Sequence, residues 1–212
     1  ILSTAFSNIF KFEVENFPLY VLSGQVIFNF FNDATTNSMT SIISSASLIK
    51  KVYVPKYLFV LSRVVSSFIN LMAAFTALLL VMMATRIELH WTAFLAFIPL
   101  FMVVGFSLGV GLILAALTVK FRDIMHLYSV FTTGLMYLTP IIYPMNILPE
   151  RIKQVVMLNP LTNYLIMFRN LMLDNTLPSW SSILVGIAEM VIVLILGVYV
   201  FYKKQDEFIL NI

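Results

Sequence analysis

LIKKVYVPKYLFVLSR, residues 48–63, decides how this chain is read. Lys50, Lys51, Lys56 and Arg63 stand in it without an acid, and a long apolar segment lies on each side. A basic connection between apolar segments marks the cytoplasmic side of a membrane. Two readings of the connection fit these residues: a loop that binds anionic headgroups, or a short helix docked on a cytoplasmic partner. Composition alone favours the loop. Tyr53, Val54 and Pro55 between the lysines favour docking, because a purely electrostatic loop has no need of apolar knobs.

The chain has 212 residues, of which 60% are hydrophobic and 11% charged, with a mean hydropathy of +0.96. A soluble domain carries roughly 25% charged residues, so the solvent for this chain is lipid. There is no cysteine, which excludes disulfides, thiolate metal sites and cysteine nucleophiles. A net charge of +3 is too small to imply nucleic acid. The chain starts at Ile1 without a methionine or a basic leader, so its start does not read as a signal peptide, and the natural protein is expected to extend further forward.

Outward from the basic connection, the expected architecture is an all-α membrane protein forming one transmembrane domain with six spans. Ile1–Ile9 is the end of a first span. The segment from Leu19 to Ile49 holds a single charge, Asp33, in 31 residues. As a helix it rises about 46 Å, more than the ~30 Å hydrocarbon core. The span is placed at residues 19–44, and 45–56 is the connection. Met39, Ile42, Ile43, Ala46 and Ile49 recur at helical spacing, so one face packs and the other is polar. Further spans are read at 57–85, 92–119, 124–143 and 180–202. Residues 148–178 do not fit a crossing. They hold Glu150, Arg151, Lys153, Arg169 and Asp174 around an Asn159–Pro160 breaker, and read as two short helices that dip into the membrane and return. Lys and Arg divide eight against five between alternate connections, which puts Lys50, Lys120, Arg122 and Lys203 inside.

Few residues invite chemistry. Asp33 inside a span is either the wall of a polar path with Asn29, Asn32, Thr36 and Asn37, or the acceptor of a structural hydrogen bond. Glu189 in the last span reads as a packing or intersubunit group rather than a catalytic one. Gly105, Gly109 and Gly111 permit close helix approach, within one subunit more readily than between two. Phe28, Phe30, Phe31, Tyr137 and Tyr143 could stack on sugar rings, although most aromatics of membrane proteins are core or belt. No phosphate-binding glycine loop is present. His90 and His126 fall at opposite faces and cannot share a metal. If ATP is used, another chain binds it.

Four stretches in order carry a resemblance: SASLIKKVYVPK (Ser45–Lys56), VKFRDI (Val119–Ile124), YLTPIIYP (Tyr137–Pro144) and LNPLTNY (Leu158–Tyr164). With them the chain resembles the membrane subunit of the ABC-2 type exporters of lipid-linked polysaccharides, those for O-antigen, capsule and teichoic acid. That family begins with an amphipathic interfacial helix and a full first span, of which only Ile1–Ile9 would be present here. The resemblance implies an ATPase-coupling role for Leu48, Ile49, Lys50, Lys51, Tyr53, Pro55 and Lys56, together with Phe121, Arg122 and Asp123 of the second cytoplasmic loop. It implies an external gate holding Pro149, Asn159, Pro160 and Arg169. The translocation path would hold Phe28, Phe31, Asp33 and Asn37, with Tyr137, Pro140 and Tyr143 in its outer part. The implied partners are a second copy of the chain, two cytoplasmic ATPase subunits carrying ATP and magnesium, a polyprenyl diphosphate-linked glycan and membrane lipid, in a bacterial cytoplasmic membrane. No cofactor would be bound by this chain itself. Lys50 and Lys51 would meet either the ATPase or the substrate diphosphate. An integral-membrane enzyme of glycan assembly would need polar groups clustered at one depth. An ion-coupled transporter would need repeated intramembrane charges or an inverted repeat. Neither pattern is visible.

Overall fold

The computed structural model describes residues 16–87 and 90–208. The Ile1–Ile9 segment read as the end of a first span lies outside the described residues. Everything described is helix, turn or irregular connection, with no strand among the described residues. The α-helices are α1 (Phe17–Ser44), α2 (Ala46–Ile49), α3 (Tyr57–Ala84), α4 (Phe97–Thr118), α5 (Ile124–Leu138), α6 (Glu150–Met157), α7 (Pro160–Met172) and α8 (Trp180–Lys204). A 3₁₀ turn, Trp91–Ala96, leads into α4, and another, Gln205–Glu207, follows α8.

Among the described residues, three stretches are long and apolar enough to cross a membrane: Tyr57–Ala84, Trp91–Thr118 and Trp180–Glu207. Their bounds lie within a few residues of the spans expected from hydropathy. Helix α1 is equally long at 28 residues, but its Ser, Thr and Asn content sets it apart from these three. It is the central element instead. Sixteen of its residues are buried, and it packs on both α3 and α4. Met39, Ile42 and Ile49 are buried as their spacing requires. Helix α8 is the opposite case: Gly186, Gly197 and Phe201 are its buried residues, and most of its apolar surface looks outward.

Helix α5 is shorter than its apolar run. The expectation extended it to residue 143, but it ends at Leu138, and Thr139 is extended at φ −80°, ψ 131°. The cause is Pro140, which disfavours the helical region for the residue before it. At 15 residues α5 rises about 22 Å, less than the hydrocarbon core. The docking helix is also reduced. It is a single turn, Ala46–Ile49, followed by a turn and an irregular stretch to Pro55. Pro55 keeps Val54 out of the helical region in the same way. The segment 148–178 does contain two short helices, α6 and α7, divided at Asn159. The Asn159 side chain accepts from the Leu161 amide at 3.1 Å, and Pro160 opens α7, so the sequence breaker is a helix cap.

The glycines of α4 serve packing within the chain. A Cβ on Gly109 would lie 2.7 Å from the backbone of Val193 and Leu194, and one on Gly197 would collide with the Gly109 carbonyl. Helices α4 and α8 therefore touch backbone to backbone, and theirs is the most extensive helix contact in the molecule. Gly105 faces Met190 of α8, and Gly111 faces Ser38 of α1.

Candidate functional site

The polar face of α1 is the first component. Asn29, Asp33, Thr36 and Asn37 are exposed along it, with Gln25 and Thr40 half-buried in the same stripe. Spacings of three and four residues put them on one side of the helix. Helix α3 lies alongside and adds Ser67 and Asn70. Together Gln25, Asn29, Asp33, Ser67 and Asn70 line a groove of about 320 Å³, whose buried apolar lining is Val26, Phe30 and Leu71. Near the basic connection, Arg63 of α3 reaches Ser44 of α1 at 3.5 Å. Phe28 and Phe31, expected in the translocation path, are buried in the chain's own core, where Phe31 stacks on Phe106 at 5.8 Å. Asp33 and Asn37 do front the stripe. Asn70 and Ser67 were missed, although Arg63, Ser66, Ser67 and Asn70 recur at helical spacing in an otherwise apolar run.

The second component is the end of the bundle that carries the basic connection. Ile49 is buried in one cluster with Ile42, Val60, Val119, Phe201 and Phe208. That cluster brings the 45–56 connection, the loop after α4 and the residues after α8 together at one end of the bundle. Lys56 donates to the Gln205 carbonyl and lies 5.7 Å from the Phe208 ring centroid. Phe208 meets Phe201 edge-on at 5.3 Å. Above this support Tyr53 stands 98% exposed, with Leu48 and Val52 also exposed. Lys50, Lys51 and Pro55 are exposed beside them. In the second loop Phe121, Arg122 and Asp123 are exposed, and Lys120 lies 5.8 Å from the Phe121 ring. The coupling residues inferred from the sequence thus lie at one end of the bundle, where Ile49 and Val119 share a buried cluster.

The third component is Arg169, which is only 5% exposed. Its Nη1 donates to the Pro140 carbonyl at 2.6 Å. Its Nη2 donates to the carbonyls of Tyr20 at 2.8 Å and Ile141 at 2.9 Å. Its Nε donates to Ser23 Oγ at 3.2 Å, and the guanidinium lies 3.5 Å from the Tyr20 ring centroid. A Cβ on Gly24 would stand 2.8 Å from Arg169 Nη2, so a glycine at that position makes room for the fork. Four neutral oxygens from α1 and the Pro140 turn are gathered by one side chain of α7. Tyr143 closes the same turn: its hydroxyl donates to the carbonyls of Tyr137 and Leu138, each at 3.0 Å, and its carbonyl accepts from Tyr20 at 3.2 Å. Asn159 donates to Thr139 Oγ1 at 2.9 Å. Asn159 and Arg169 therefore reach the Thr139–Tyr143 turn by hydrogen bonds, and Pro160 opens α7 next to Asn159. Pro149 precedes α6 as its N-cap residue. Pro140 is buried there, while Tyr137 is 70% exposed.

Comparison with known proteins fits this arrangement. The profile of the ABC-2 type transporter family matches residues 1–173. The chain belongs to that family. Among similar members, an O-antigen export system permease protein RfbA of Klebsiella pneumoniae is 25% identical over 205 residues, covering 96% of this chain and 78% of the relative. Its counterpart from Myxococcus xanthus is 24% identical over 205 residues, covering 96% and 79%. In ABC-2 terms the chain is a membrane-embedded transport subunit. The family match takes in the groove, the basic connection and the Arg169 network alike.

Proposed function

We propose that this chain is the membrane subunit of an ATP-driven exporter of a lipid-linked polysaccharide, working as a pair with two cytoplasmic ATPase subunits in a bacterial cytoplasmic membrane. The observation that carries the reading is the exposed polar stripe on α1. Asp33 and the carboxamides beside it sit on a helix flanked by apolar ones. Such groups are expensive against hydrocarbon and face protein or water. A second copy set against this side would enclose a hydrated path. A diphosphate and its sugars cannot cross hydrocarbon unaided, while a polyprenyl tail remains in it.

In this reading the chain has six spans, counting Ile1–Ile9 and α5 with its Pro140 turn. Helices α6 and α7 form a re-entrant external gate. ATP and magnesium are held by the partner subunits, whose closure is passed through Leu48–Tyr53 and Phe121–Asp123 to α1, α3 and α4. The names of the similar proteins support an O-antigen-type cargo. Purification of the chain with its ATPase, followed by mass spectrometry of the lipid extract, tests the proposal. A co-purified polyprenyl diphosphate glycan is expected, and export by the chain without an ATPase would overturn it. Replacing Lys50 and Lys51 with Ala is expected to weaken ATPase association; unchanged association and export would remove these lysines from coupling.

A further inference from the structure

The groove between α1 and α3 has a composition that discriminates among glycans. We infer that it is a carbohydrate subsite for an uncharged, hydroxyl-rich stretch of polymer, and that Asp33 disfavours a polyanionic one; this rests on the exporter reading above.

Four observations carry it. First, the rim offers carboxamides at Gln25, Asn29 and Asn70 and a hydroxyl at Ser67. Each both donates and accepts, which is what a sugar hydroxyl needs. Second, Ser67 is 2% exposed and its Oγ has no hydrogen-bond partner within the chain. A buried hydroxyl left unsatisfied is costly, so a ligand or water completing it is favoured. Third, the buried part of the lining, Val26, Phe30 and Leu71, is apolar, suited to the C–H face of a pyranose. Its volume of about 320 Å³ lies at the small end of ligand sites. Fourth, the one charge in the groove is the Asp33 carboxylate. Asp33 has no ion-pair partner among the described residues. No basic side chain lines the groove: Arg63 bonds to Ser44 and Arg169 to Ser23 and Tyr20, outside its lining. A polymer with a phosphate in every repeat meets this like charge at each step past the middle of the groove, whereas the lipid diphosphate of a neutral glycan meets it once. A neutral sugar meets only an acceptor.

Because the chain has no cysteine, single cysteines can be read directly. Asn29→Cys and Asn70→Cys are introduced separately, and each chain is assembled with its ATPase in lipid nanodiscs. The rate of reaction with a neutral, membrane-impermeant maleimide is then measured, with Ile69→Cys as the control outside the groove. The probes are maltoheptaose and a glycerol-phosphate oligomer at equal monomer concentration. Labelling at both groove sites is expected, slowed by maltoheptaose and about tenfold less by the phosphate oligomer. Asp33→Asn is expected to remove most of that preference. Equal or better protection by the phosphate oligomer, or no protection by maltoheptaose, overturns the subsite and leaves the exporter reading standing. Failure of the maleimide to reach either groove cysteine overturns both, because the groove would then face lipid.

Discussion

Arg169 and the Lys50–Lys51 pair carry the same sign of charge in opposite surroundings. Arg169 is enclosed at the junction of α1, α7 and the Pro140 turn, with four oxygen acceptors and an aromatic face around it. The lysines stand on an exposed turn whose apolar support, Ile49, lies below them. The first arrangement holds segments together, and its charge is an internal tie. The second sets Lys51 and the apolar side chains of Leu48, Val52 and Tyr53 on the outside, where another surface can meet them. A tally of basic residues weighs the two alike, so burial separates architecture from docking.

The largest effect is expected at the buried end. Arg169→Ala leaves the carbonyls of Tyr20, Pro140 and Ile141 without their donor and should cost about 3–5 kcal/mol. A thermal melt of the purified subunit in detergent reads it as a large loss of stability. Arg169→Lys should restore only part, since an ammonium lacks the planar fork that spans these acceptors. Full stability in the alanine variant would break the comparison at its stronger side.

At the cytoplasmic end the support should matter more than the surface it carries. Phe208 is fully buried against Phe201 and beside Lys56. Phe208→Ala is expected to cost about 3 kcal/mol and to increase proteolytic cleavage in the 50–56 connection. If the connection is no more accessible to protease, Phe208 is not its support. A smaller effect belongs to Asn159→Ala, which removes the α7 cap and the bond to Thr139. About 1–2 kcal/mol is expected, seen as a modest downward shift in the same melt. The smallest change in stability should follow Tyr53→Ala, within about 0.5 kcal/mol because the ring touches little of its own chain. Its effect should appear instead in ATPase binding, weakened about tenfold or more if the ring is a central anchor. Unchanged affinity in a pull-down titration would leave the exposed face without its proposed use.

The long helices were legible because hydropathy and length depend only on local sequence. The ends of α3, α4 and α8 fall within a few residues of the expected bounds for that reason. The shortened α5 was legible in principle, since Pro140 dictates the conformation of Thr139, but an apolar run through residues 141–143 conceals the break. The candidate site was less visible. Phe28 and Asp33 occupy one helix only five residues apart, yet one is core and the other groove. Hydrophobic periodicity is weak where Ser, Thr and Asn are buried as well, as Ser38 and Ser41 are. Ser38 is small enough to pack against Gly111, and Ser41 bonds to the carbonyl of Ser38 on its own helix. Polarity therefore does not tell inside from outside on α1.

By itself, the sequence determined that the chain lives in lipid, where its apolar stretches begin and end, and which connections carry positive charge. Those properties are sums over neighbouring residues. Only the tertiary structure decided that α1 lies between α3 and α4, that Arg169 is a tie rather than a surface charge, and that Asn70 faces Asp33 across one groove. The positions involved lie far apart along the chain, and their meeting depends on how helices pack: the glycine contact of α4 with α8, and the glycine that makes room for a guanidinium.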